Sequence, residues 1–94
     1  MNDLSSYRKQ LDEIDEQLMQ LLSRRFAICR EVGAFKARTG TPMMQPDRVA
    51  EVKARASLRA AGAGLDPRFG SDLYELIIKE ACRLEEEIIG GAQA

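Results

Sequence analysis

Apolar residues recur at steps of three and four along the first part of the chain: Leu4, Tyr7, Leu11, Ile14, Leu18, Leu21, Ile28, Val32 and Phe35. That spacing is the buried stripe of an amphipathic α-helix. The predicted helix runs from about Ser5 or Ser6 to near Arg38, where Thr39-Gly40-Thr41-Pro42 supplies a glycine cap and a proline stop. At the helical rise, about 34 residues span roughly 50 Å, whereas a compact globule of this chain length has a radius of gyration of only about 12 Å. The stripe would therefore project into water from a single chain. Two chains laid antiparallel, each covering the other's stripe, remove the mismatch, so the expected architecture is an obligate, intertwined helical homodimer.

Two further helices follow. Pro46 at a first helical position, with Asp47 beside it, starts one that fades at Ala61-Gly62-Ala63-Gly64. Asp66 as N-cap and Pro67 at the next position open another, through Phe69, Leu73, Leu76, Ile77, Leu84 and Ile88 to Gly90-Gly91. Gly70 weakens its first turn. With no strand pattern or repeat, the fold class is all-α, three helices per chain, and residues 1–94 form one domain.

Arg25 interrupts the apolar stripe, and the stripe carries no acid from Leu18 to Phe35. Desolvating a guanidinium costs several kcal/mol unless an anion compensates. Lys36 lies eleven residues on, about 20° from the same azimuth and roughly 16 Å along the axis. Two long cations leaning toward each other enclose the width of a small molecule, which makes a small, multiply anionic ligand the natural partner. The competing reading is that these side chains snorkel to the stripe's edge, or pair with an acid from another element. Arg24 and Arg30 are ordinary solvent-facing charges by comparison. Arg8 points about 100° away from Arg25, and periodicity alone makes it a solvated surface charge. In an antiparallel dimer, however, its end of the helix reaches the partner's site.

Composition removes several classes. Fourteen Lys and Arg against 15 acids leave a net charge of −1, so no overall basic field points to nucleic acid. Aromatics are few and Trp is absent, which argues against base-stacking platforms. No apolar run has the length of a membrane span, and the N-terminus reads as no signal peptide, so a cytoplasmic location is expected. Cys29 and Cys82 form no CxxC, and the chain has no His, which removes zinc sites and His-based catalysis. Reduced, partly buried thiols are expected.

Arg8, Leu11, Ile14, Asp15 and Leu18 spell R-x-x-L-x-x-I-D-x-x-L. Leu21, Leu22 and Arg25 follow, and then Glu31, Val32, Gly33 and Lys36 as E-V-G-x-x-K. The next block is Pro42-Met43-Met44-Gln45-Pro46-Asp47-Arg48-Val49, and the third helix carries Leu73, Ile77, Ile78 and Glu85. From Tyr7 to about Glu87 this set of spacings resembles the all-α chorismate mutases and their close relatives. The resemblance implies an intertwined helical dimer with two sites, each built mostly from one chain and closed by an arginine of the other. It implies that Arg8 arrives from the partner to bind one substrate carboxylate, that Arg25 binds the other, and that Lys36 hydrogen-bonds the enolpyruvyl ether oxygen. Arg48 would orient Glu51 or Gln45 or line the entrance, and Glu85 sits where the family places a Gln or Glu facing the ether oxygen. Gln45, Val49 and Ala81 fall at substrate-binding positions.

The reaction implied is the 3,3-sigmatropic rearrangement of chorismate to prephenate, or of 4-amino-4-deoxychorismate to 4-amino-4-deoxyprephenate. It needs no nucleophile, cofactor or metal, only a folded dianion held by fixed cations. Two positions depart from ordinary chorismate mutases, which have an acid at Gln45 and, at Val49, a glutamate that holds the C4 hydroxyl. The P-D-R-V run is like the branch containing isochorismate pyruvate lyases, and P-M-M-Q resembles mutases of antibiotic pathways that act on 4-amino-4-deoxychorismate. A non-catalytic helical dimerisation module, with Arg25 and Lys36 paired to acids such as the partner's Glu80, is the rival of another class.

Overall fold

The computed structural model describes residues 3–93, which form α1 (Leu4–Thr39), α2 (Pro46–Gly62) and α3 (Pro67–Gln93). No strand occurs among the described residues. α1 begins slightly before the expected serines because Asp3 caps it, its carboxylate accepting from the Ser6 N–H at 2.8 Å. Gly40 ends α1 in the left-handed conformation, φ 69°, and the Lys36 carbonyl accepts from the N–H groups of Gly40 and Thr41. α2 gives way at Gly64, φ 78°, where the Leu65 N–H returns to the Ala60 carbonyl at 2.8 Å. Asp66 Oδ1 accepts from the Arg68 N–H at 2.9 Å and opens α3. The expected stop at Gly90-Gly91 is corrected: α3 runs through both glycines to Gln93, and neither has positive φ. Glycine permits a left-handed cap without imposing one, and no proline follows to force the end.

α3 packs against both other helices. The Arg25 guanidinium lies over the Tyr74 ring, 5.5 Å from its centroid, and Lys36 meets Glu85, so α1 and α3 run in the same direction. Ser57 Oγ donates to the Pro67 carbonyl at 2.9 Å and Lys53 lies 3.9 Å from Glu75, so α2 runs against α3 and hence against α1. Gly70 makes the α2–α3 crossing possible. A Cβ there would stand 2.6 Å from Ala60 Cβ and 2.7 Å from the Ala56 carbonyl oxygen, so the helix-weakening residue is the one the close approach requires. Ala56 and Ala60 are buried at this contact, and Ile77, Ala81 and Leu84 are buried further along α3.

The α1 stripe is not buried within the chain. From Leu4 to Phe35 its large apolar members are 40 to 63 % exposed, and Gly33 is the buried residue of α1. The molecule measures 57 × 26 × 14 Å with a radius of gyration of 16.8 Å. A compact chain of this length has a radius of gyration of about 12 Å. α1 sets the long axis, and most of its apolar face is left uncovered by the other two helices.

Candidate active site

On α1, Arg25, Cys29, Val32 and Lys36 succeed one another at helical steps and share a face, which α3 meets with Ile78, Ala81, Cys82 and Glu85. The third wall comes from Met43, Gln45, Arg48 and Val49, at the start of α2 and just before it. Together they enclose a cavity of about 600 Å³, within the range of small-molecule sites.

Lys36 Nζ donates to Glu85 Oε1 at 2.7 Å and to the Met43 carbonyl at 2.8 Å. The two ion-pair side chains are only 14 % and 10 % exposed. The acid missing from the stripe is thus supplied by α3. Gly33 allows it: a Cβ there would come within 3.2 Å of Glu85 Cα and 3.3 Å of its Cγ, so a side chain would push α3 away from Lys36 one turn later. Arg25 has weaker company. Its Nη1 donates to Cys29 Sγ at 3.7 Å, its plane covers Tyr74, and it makes no ion pair among the described residues. A thiol is a weak acceptor and a partly exposed cation–π contact contributes about 1 kcal/mol, so the Arg25 charge remains available to a ligand.

The family model of chorismate mutase type II matches residues 7–86. The chain belongs to the type II chorismate mutase family. It is 45 % identical over 91 residues to a 4-amino-4-deoxychorismate mutase of Streptomyces pristinaespiralis, covering 95 % of this chain and 70 % of that protein. A 4-amino-4-deoxychorismate mutase of Streptomyces venezuelae is 42 % identical over 88 residues, 94 % of this chain and 85 % of the relative. A chorismate mutase of Methanocaldococcus jannaschii is 23 % identical over 90 residues, covering 96 % and 91 %. The chain is accordingly an enzyme of the isomerase class.

For a mutase of this family, the cavity brings together seven of the positions singled out in the sequence: Arg25, Lys36, Glu85, Gln45, Arg48, Val49 and Ala81. Arg48 is at the rim, its Nη1 3.2 Å from Glu51 Oε1. Gln45 Nε2 donates to the Pro42 carbonyl at 3.4 Å, which leaves its Oε1 as a free acceptor. Val49 adds an apolar wall, and Ala81 is buried on α3. Arg8 is not in the cavity of its own chain; it is exposed on α1, about 25 Å along the axis from Arg25. Glu80 is held by Arg83 of the same helix, so in this chain it is already paired.

Three contributors escaped the sequence reading: Gly33 as a spacer, the Met43 carbonyl as an acceptor, and Tyr74 beneath Arg25. Only Gly33 left a signal, a glycine inside a helical pattern. Cys29 and Cys82 also line the cavity. Burial pushes both thiols up; Arg25 opposes this at Cys29, and Glu85 reinforces it at Cys82. Both thiols are therefore protonated at neutral pH and poor nucleophiles. No cluster of three or more metal-ligating side chains occurs among the described residues, and no helix there is long and apolar enough to cross a membrane.

Proposed function

We propose that the chain, as a single catalytic domain of 94 residues in a cytoplasmic homodimer, converts 4-amino-4-deoxychorismate to 4-amino-4-deoxyprephenate. The supporting observation is the cavity of about 600 Å³ that Arg25 and Lys36 line together. The two Streptomyces relatives, at 45 and 42 % identity, carry this substrate in their names, whereas relatives named as chorismate mutases, alone or bifunctional, stand at 23 to 29 %. Gln45 is compatible with the same choice, since its Oε1 is free to accept from a C4 ammonium, whereas Val49 offers that group no acid.

In the reaction the ether C–O bond breaks as a C–C bond forms between the enolpyruvyl methylene and the ring. Arg25 and Arg8 of the partner subunit hold the two carboxylates in the folded conformer, and Lys36 donates to the ether oxygen as negative charge builds there. Lys36 Nζ gives two of its three donors to Glu85 and the Met43 carbonyl, which leaves the third for the ether oxygen. Incubation with 4-amino-4-deoxychorismate, chorismate and isochorismate separately, with products resolved by chromatography, tests the assignment. Fastest turnover of the amino substrate is expected. Conversion of isochorismate alone, with pyruvate released, would make the protein a lyase, and no conversion of any would leave a dimerisation module.

Glu85 faces the same oxygen only if it can donate, and an ionised carboxylate offers lone pairs alone. Glu85→Gln, a permanent donor of nearly the same shape, is therefore expected to turn over at least as fast as wild type. A rate for Glu85→Gln far below wild type would remove donation at this position from the mechanism.

A further inference from the structure

The charges along α2 do not balance. Glu51 Oε1 alone serves both Arg48, at 3.2 Å, and Arg55, at 2.8 Å, while Arg59 makes no ion pair among the described residues. A second cavity of about 220 Å³ beside the first is walled by Arg25, Arg48, Val52, Arg55, Arg59 and Tyr74. Four guanidinium groups thus face one small space. The opposite excess sits on α1, where Asp12, Glu13, Asp15 and Glu16 are all exposed, and none of them forms an ion pair among the described residues.

We infer that the basic face of α2 is the docking surface for the acidic flank of α1 in a second copy of the chain, with the partner's Asp15 seated on Arg55 and Arg59 and the partner's Asp12 one turn earlier, between Arg48 and Arg55. The inference rests on the dimer and the trans role of Arg8 proposed above, and the register supports it. On α1, Asp15 lies about 20° and Asp12 about 40° from the azimuth of Arg8, whereas Glu13 lies about 140° away. The two aspartates share the flank of Arg8, roughly 6 and 10 Å further along the helix. α2 runs against α1, and so does the partner's α1 in an antiparallel pair; the partner's α1 therefore runs along α2 in the same direction. Arg55 follows Arg48 by seven residues, as Asp15 follows Arg8, and both steps are roughly 10 Å. Bringing the partner's Arg8 level with Arg48 at the cavity brings the partner's Asp15 level with Arg55, and Arg59 extends the contact by one turn. The clamp then fixes how deeply the closing arginine is inserted.

Complementary charge reversal tests this. One chain carries Asp12→Lys and Asp15→Lys, the other Arg55→Glu and Arg59→Glu. Alone, each variant sets like charges against each other at both ends of the dimer, so its dissociation constant should rise about a hundredfold over wild type, measured by sedimentation. Mixed after co-refolding, they should pair as heterodimers with near-wild-type affinity and activity, because every contact is again between opposite charges and Arg8, Arg25, Lys36 and Glu85 are intact. Variants that dimerise like wild type would overturn the clamp and leave the arginines to a small anion, and weakened variants that mixing does not rescue would overturn it too. A wild-type protein that sediments as an active monomer would instead remove the dimer reading from which the clamp follows.

Discussion

Arg25→Ala is expected to lower kcat/KM by about 10²- to 10³-fold, the loss of about 3–4 kcal/mol typical when one preorganised donor is removed from a developing charge. Lys36→Ala should fall at least as far, since the ammonium is the proposed donor to the oxygen at which the bond breaks. The two variants should part company in stability. Arg25 has a thiol and an aromatic face as its partners, so its removal leaves no orphaned charge and should change the unfolding free energy by less than about 1 kcal/mol. Removing Lys36 strands the Glu85 carboxylate, 10 % exposed, against α1. Breaking a buried pair from one side costs about 3–5 kcal/mol, and the Lys36→Ala/Glu85→Gln double variant should recover much of that. Steady-state kinetics with urea unfolding of the three variants checks both halves. Near-normal turnover in Arg25→Ala on every candidate substrate would place the anion site elsewhere.

Activity is expected to appear where neither component has any when an Arg8→Ala chain is mixed with an Arg25→Ala chain. In the heterodimer one site contains both arginines and the other contains neither, so a statistical mixture, half heterodimer, recovers about a quarter of wild-type activity per chain. Unfolding and refolding together is needed, because subunits whose long helices cover each other exchange slowly. Heterodimers demonstrated by native mass spectrometry but inactive would put Arg8 within its own chain's chemistry or outside the site. The structure explains why the question arises at all: Arg8 is exposed, and about 25 Å of helix separates it from Arg25 in the same chain.

The helices were legible because their signals are local. A three-and-four repeat, a glycine before a proline, and an aspartate before a proline each act within one or two turns, and the three elements lie close to the places those signals mark. The end of α3 was not legible, since a pair of glycines permits a cap but does not choose one. Arg25 and Lys36 stood out for a similar reason: a cation on an apolar face conflicts with its own helix, and that conflict is visible without any knowledge of the fold. The length of α1 likewise argues for a second chain on arithmetic alone.

What only the tertiary structure decided are the relations between elements. That Lys36 meets Glu85, forty-nine positions away, depends on α1 and α3 running parallel at a separation that Gly33 permits. That Arg25 rests on Tyr74, and that four arginines converge beside it, depends on the α2–α3 crossing closed by Gly70. Periodicity specifies which face a side chain takes on its own helix. It carries no term for the angle and distance between helices, and those are set by the side chains, or their absence, where two backbones touch.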